Sequence, residues 1–162
     1  MITLRKFWYI FIFLAAVTML ALALKNQTTT STKLQDHQKI NIQIANQTLN
    51  VEVVNTPESM SKGLGDRTEI GSDGMLFILP NRQKAPFWMK DMQMDLDFVW
   101  IVDGRVVQIN EDIKAPKTTI ENEDQNLPVI VPNQAVDLVL ELPAGSIQAQ
   151  HLQVGDIVHL NQ

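Results

Sequence analysis

Hydrophobic and polar positions divide the chain into three stretches of different pattern. Residues 1–24 are almost continuously apolar, and Phe7–Leu24 is broken only by Thr18. Residues 25–38 are polar and Thr-rich with no apolar periodicity, the mark of a linker. From residue 39 the pattern becomes that of a folded domain. Ile40, Ile42 and Ile44 alternate with polar or small residues, Asn46-Gln47 supplies a turn, and Leu49, Val51 and Val53 alternate again. This period of two predicts a β-hairpin. Thr56-Pro57-Glu58 then reads as a helix start, with Thr as cap, Pro in the first turn and an acid beside it. Met60 and Leu64 share its apolar face, and Gly63 and Gly65 end it.

Further strands are predicted at Met75–Leu79, Phe87–Met89, Leu96–Val102, Arg105–Asn110, Val129–Val131, Val136–Leu142 and Ile157–Leu160. Asp103-Gly104 is a tight-turn signal between two of them. Residues 111–128 form a long polar loop with Pro116 and Pro128. Pro143-Ala-Gly-Ser146 introduces a second short helix, Ile147–Leu152. No repeat is visible. The whole predicts a mainly β (α+β) fold: a small compact β-barrel or sandwich-like domain over residues 39–162 with two short helices. A hydrophobic N-terminal helix precedes it.

The N-terminal segment sets the expected location. Arg5 and Lys6 precede the apolar run, and Trp8 and Tyr9 stand beside them as an interfacial anchor would. A spanning helix needs about 20 apolar residues, with a lower limit near 17, and the 18 residues Phe7–Leu24 reach that limit. We read residues 1–24 as a signal-anchor in preference to a signal peptide cleaved after Ala21-Leu22-Ala23. Either reading exports the domain. It would stand outside the cytoplasm, in the periplasm or its equivalent, tethered to the inner membrane through residues 7–24 if they are retained.

Charge and composition then narrow the classes of function. Of 13 basic and 18 acidic residues, only Arg5 and Lys6 fall in the first 24, so the remainder carries a net charge of −7. That balance argues against a nucleic-acid partner. The chain has no Cys, which excludes disulfides, a thiol nucleophile and a Cys-based zinc site. No Gly-x-Ser-x-Gly elbow or phosphate loop occurs, and no cofactor is expected. Ten residues are aromatic. Five lie in the N-terminal segment, and the other five, Phe77, Phe87, Trp88, Phe98 and Trp100, fall within one short window. Met89, Met92 and Met94 share that window with Lys90, Asp91, Asp95 and Asp97. Bulky apolar and charged residues in direct succession suit a ligand cleft, although the same aromatics would also serve as core.

The order Gly74-Met75-Leu76-Phe77, Phe87-Trp88-Met89-Lys90, Leu96-Asp97 and Gly104-Arg105-Val106-Val107 resembles the domain of unknown function 192 family. Ala115-Pro116, Val139–Gly145 and Gly155-Asp156 follow the same pattern, and upstream Gly63-Leu64 and Arg67 fit its Gly-Leu-Met-x-Arg stretch. The resemblance spans about residues 49–160. It implies a compact β-rich fold, commonly behind an export signal, and no established activity. Four positions depart from the family pattern. Gly65 replaces a usual Met, Asp66 an apolar or aromatic residue, Asp91 a usual Asn, and Asp95 a usual Pro.

Three functions compete. The first is a non-enzymatic binding module for a small molecule or a protein segment. Trp88 and Met89 would supply apolar surface, Lys90 a charge, and Arg67, Asp97 and Glu141 polar anchors. The second is a hydrolase with a carboxylate pair drawn from Asp91, Asp95, Asp97 and Glu111. The third is Cu(I) binding through the thioethers of Met89, Met92 and Met94, set against the more common use of Met as core filler. Glu121-Asn-Glu-Asp124 lacks the spacing of a calcium loop and reads as a solvated loop face.

Overall fold

The computed structural model describes residues 33–116, 127 and 129–161. The apolar segment 1–24, the linker up to residue 32 and the Glu121–Asp124 run lie outside the described residues. From Leu34 onward the described chain is one compact unit. Its elements are β1 (Lys39–Ile44), β2 (Gln47–Val54), α1 (Pro57–Lys62), β3 (Gly74–Gln83), β4 (Phe87–Trp88), β5 (Leu96–Val102), β6 (Arg105–Ile113), β7 (Val129–Ile130), β8 (Val136–Pro143), α2 (Ser146–Gln150) and β9 (Val158–Asn161). The fold is mainly β with two short helices, as the alternation predicts.

Seven strands form one sheet in the order β6-β5-β8-β3-β2-β1-β9, and β4 pairs with β7 in a separate two-stranded ribbon. The sheet is antiparallel except for β2 and β3, which run parallel from Val51–Gly74 to Val54–Phe77. Its two edges meet at one end. Arg105 bridges Ile157, and the Val158 amide donates to the Gly104 carbonyl at 2.7 Å. The sheet is therefore a curled half-barrel. Register shifts in the β5–β6 and β3–β8 pairings mark bulges that add to this curvature.

The curl gives two apolar layers. Ile40, Ile42, Ile44, Val51, Leu76, Val99 and Leu140 fill the interior with α2 and Leu152. Met75, Phe77, Phe98, Trp100 and Val139 point the other way, into a second cluster. That outer layer is covered by the β2–β3 crossover and by the segment around β4. The strands at the centre, β3, β5 and β8, are thus buried on both faces and read as continuous apolar runs. β1 has a wet outer face and keeps its alternation of buried and exposed positions.

Local chemistry fixes the ends of the elements. Thr56 and Ser59 make a reciprocal capping box at the start of α1. Asp36 accepts from the Asn55 amide at 2.9 Å and from the Ser59 hydroxyl at 2.7 Å, and the Asn55 bond leads in holding its pKa below the ordinary value. Leu34 packs against the interior cluster. Leu34–Gln38, assigned to the linker from sequence, are thereby tied to the domain. At the other helix, Asp97 of β5 accepts from the Ile147 amide at 2.9 Å and so satisfies a donor in the first turn of α2. Asp103 and Gly104 both take positive φ, 49° and 69°, as the hairpin between β5 and β6 requires.

Candidate functional site

The β2–β3 crossover and the segment Ala85–Met92 both lie over the outer face of the sheet. They leave between them a groove of ≈ 370 Å³. They are joined where the Asp66 amide donates to the Asp91 carbonyl at 2.8 Å. The groove volume is at the small end of ligand pockets, roughly 300–1,000 Å³. Leu64, Phe77, Leu79 and Met92 are buried side chains in its lining, Met60 is half-buried, and Lys62, Trp88 and Lys90 are exposed at its edges. Alternation along β4 explains how adjacent aromatics take different roles. The Phe87 ring turns into the outer core, edge-on to Phe77, Trp100 and Phe98 at 5.0, 5.5 and 6.0 Å between centroids. Trp88, next along, is 56% exposed, and Met89 is fully buried again. Trp100 is fully enclosed and donates its indole N–H to Asn110 at 2.8 Å.

One acidic residue stands in the groove's interior. Glu141 of β8 is only 5% exposed and opens into the groove. Its register partners are Met75 on β3 and Phe98 on β5, so its side chain shares their outer face. Among the described residues its carboxyl makes no hydrogen bond and no ion pair. Burial without a partner pushes its pKa up to about 8. At neutral pH it is mostly an uncharged acid. Glu52, one strand beyond Met75 in the same row, is the contrast. Arg67 grips it with two N–H···O bonds of 2.7 and 3.0 Å, and His37 Nδ1 lies 2.7 Å from its Oε1. The Arg67 bonds lead in lowering the Glu52 pKa, against desolvation and with help from His37. Arg67 is therefore committed to Glu52 and does not line the groove.

Residues 38–160 match the family described as DUF192, uncharacterized ACR. The chain belongs to this family. Two solved structures share the fold of this DUF192 domain. One is a proposed transcription regulator from Sinorhizobium meliloti 1021, with TM-score 0.67 and 25% identity over 78% of this chain and 97% of the other. The second is a protein of unknown function from Novosphingobium aromaticivorans, with TM-score 0.65 and 24% identity over 78% of this chain and 89% of the other. The comparison with curated proteins found no match.

The DUF192 positions singled out from sequence separate into distinct places. Trp88, Lys90 and Glu141 come together at the groove, with Met89 in the packing beneath. Asp97 is on the opposite face of the sheet from Glu141, in register with Leu142, and accepts from the Asp112 and Ile147 amides. It holds β5, β6 and α2 together. The carboxylates considered for hydrolysis are likewise dispersed. Asp95 accepts from the Ala115 amide and pairs with Lys114, the amide leading in lowering its pKa. Glu111 accepts from Gln148 on the surface, and Asp91 is exposed. Met89 and Met92 are buried in the outer cluster and Met94 packs against it, so all three serve as apolar filling.

Three of the four departures from the family pattern have backbone reasons. Asp66 and Asp91 adopt φ of 62° and 57°. Asn and Asp are the residues, after Gly, that best tolerate this left-handed region. The exchange of Asn for Asp at 91 thus preserves a turn. A Cβ on Gly65 would sit 3.1 Å from the Lys62 carbonyl of its own turn, so the small residue suits the tight end of α1. Sequence reasoning missed the contributions of Lys62 and Leu79. The available signal was the polar, Pro-bounded stretch from Pro80 to Pro86 between two apolar runs, which marks irregular chain beside a cleft.

Proposed function

We propose that this DUF192 domain is a non-enzymatic binding module, carried outside the cytoplasm by residues 1–24, whose ligand lies in the groove between α1 and Ala85–Met92. The observation that carries the reading is Glu141, a buried carboxyl with no partner that opens into an apolar groove. Buried polar groups are nearly always satisfied, and an unsatisfied one in a cleft asks for a ligand. Exposed Trp88 at the groove edge supplies a large, rigid contact surface of the kind that anchors ligands. The net charge of −7 beyond residue 24 speaks against extending to this chain the transcriptional role proposed for the Sinorhizobium protein.

A screen of small aromatic and aliphatic fragments, followed through the methyl NMR signals of the full chain, tests this reading. Binding should shift Met60, Leu64, Leu79 and Met92 while Leu140 and Leu142, on the interior face, stay still. Trp88→Ala should weaken it. Shifts spread over both faces, or an unchanged Trp88→Ala variant, would sink the proposal.

A further inference from the structure

We propose that the groove selects an organic cation: a small ammonium compound with an apolar body, its charge placed against the Glu141 carboxylate and its body along the aromatic wall. The inference deepens the binding-module reading and rests on it. Three features of the groove lead to it. First, Glu141 is an acid with no donor of its own. Arg67, the basic residue that reaches this row, is held in a bidentate pair by Glu52, with His37 on the same carboxylate. The protein has thus neutralised one carboxylate of the row and left the other for something else.

Second, the remaining charged groups around the groove stand at its edges. Lys62 of α1 is bound to Asp66. Lys90 lines the groove at its exposed edge beside Trp88, where Asp91 and Glu58 of α1 also stand. Glu141 has no hydrogen bond or ion pair among the described residues, and burial alone raises its pKa. Third, the surrounding surface is apolar and aromatic. Phe77, Phe87 and Trp88 line the groove, and ring faces attract cations. A neutral apolar guest would leave the carboxyl orphaned, and an anion would be repelled by its ionised form. A cation alone gains from both the carboxylate and the rings.

Binding then carries a proton balance. The free protein holds the Glu141 proton at neutral pH, and the ammonium ligand keeps its own. Forming the ion pair releases the Glu141 proton to solvent. Affinity should rise with pH up to about 8, where the acid ionises unaided, and level off above it.

The test is a calorimetric titration of the full chain with 2-phenylethylamine and with 2-phenylethanol, which has the same body without the charge. A capped lysine-containing tripeptide forms a third arm, to separate a free amine from a protein side chain as the source of the cation. We expect the amine to bind at least tenfold more tightly than the alcohol. Its affinity should rise roughly 50-fold between pH 6 and pH 8, with release of a proton seen as a buffer-dependent heat. Glu141→Gln, which keeps the shape of the neutral acid, should remove both the preference for the amine and its pH dependence. Preference for the peptide with the same Glu141 dependence keeps the cation and assigns it to a lysine side chain. Equal binding of amine and alcohol, or amine affinity that falls as pH rises, overturns the cation and leaves the groove as a binding site. Failure of every probe to bind overturns both.

Discussion

Glu52 and Glu141 lie in one row across the sheet, on either side of Met75, and only Glu52 has partners. The difference predicts opposite pH dependences for the two. For Glu141 the folded-state pKa, about 8, lies above the ordinary 4.5. The folded state therefore binds more protons than the unfolded state between these values, and stability falls as pH rises through that window. Each unit corresponds to about 1.4 kcal/mol, so on the order of 4 kcal/mol is lost by pH 8 as an upper bound. Glu141→Gln should be more stable than the parent at pH 8, with the difference vanishing below pH 4.5. Thermal melts of both proteins across pH 4 to 9 measure this. Parallel curves would show that Glu141 finds a partner in solution.

Glu52 has the reverse sign. Its pKa is lowered, so its contribution is present above the ordinary value of 4.5 and is lost as pH falls through its folded value. Arg67→Ala would leave the Glu52 carboxylate, 9% exposed, without its main partner. We expect a loss of about 3 kcal/mol, at the low end for breaking a buried pair because Arg67 itself is one-third exposed. Arg67→Lys should recover only part, since an ammonium cannot match the two-pronged contact. Urea denaturation at pH 7 gives both values. A loss within experimental error for Arg67→Ala would contradict the structural role.

Asp97 separates stability from binding. It accepts from the amides of Asp112 at 2.8 Å and Ile147 at 2.9 Å with no exposure of its own. Asp97→Ala orphans both donors, at about 1–3 kcal/mol each. Because Asp97 points away from the groove, fragments should bind the folded variant as they bind the parent. Methyl spectra taken below the melting transition provide the check. Groove signals that lose their response would mean that Asp97 does act in binding.

Much of this architecture was legible because the signals were local. The alternation Ile40, Ile42, Ile44 belongs to a strand with one wet face, and β1 is such a strand. Asp103-Gly104 encodes its own turn, and Thr56 its own cap. The aromatic window gave the neighbourhood of the groove because Trp88 and Lys90 follow one another. What stayed hidden depends on pairing between distant segments. Nothing local shows that β2 and β3 run parallel, which puts Glu52 beside Met75 and gives Arg67 its partner. Asp97 and Glu141 look equivalent as acids within apolar strands. A one-residue offset in the β5–β8 register puts them on opposite faces, one against backbone amides and one in the groove.

Gly74 tests how closely the sheet is fitted behind the groove. Its φ is not in the left-handed region, so its need for glycine is a matter of space. A Cβ there would lie 2.7 Å from the Glu141 carbonyl and 2.7 Å from Leu142 Cδ2. The leucine can rotate, but the carbonyl belongs to a paired strand, so β8 must shift. We expect Gly74→Ala to cost about 1–3 kcal/mol, as overpacking does. The displaced strand is the one that carries Glu141, so fragment binding in the groove should weaken as well. Gly71 provides the comparison: its φ is +75° and nothing lies within 4 Å of an added Cβ. Gly71→Ala should pay only for backbone conformation, about 1 kcal/mol, with the groove intact. Denaturation and fragment titration of the two variants, side by side, distinguish crowding from backbone strain. Equal stabilities together with unaltered binding in Gly74→Ala would show that β8 can yield without moving the site.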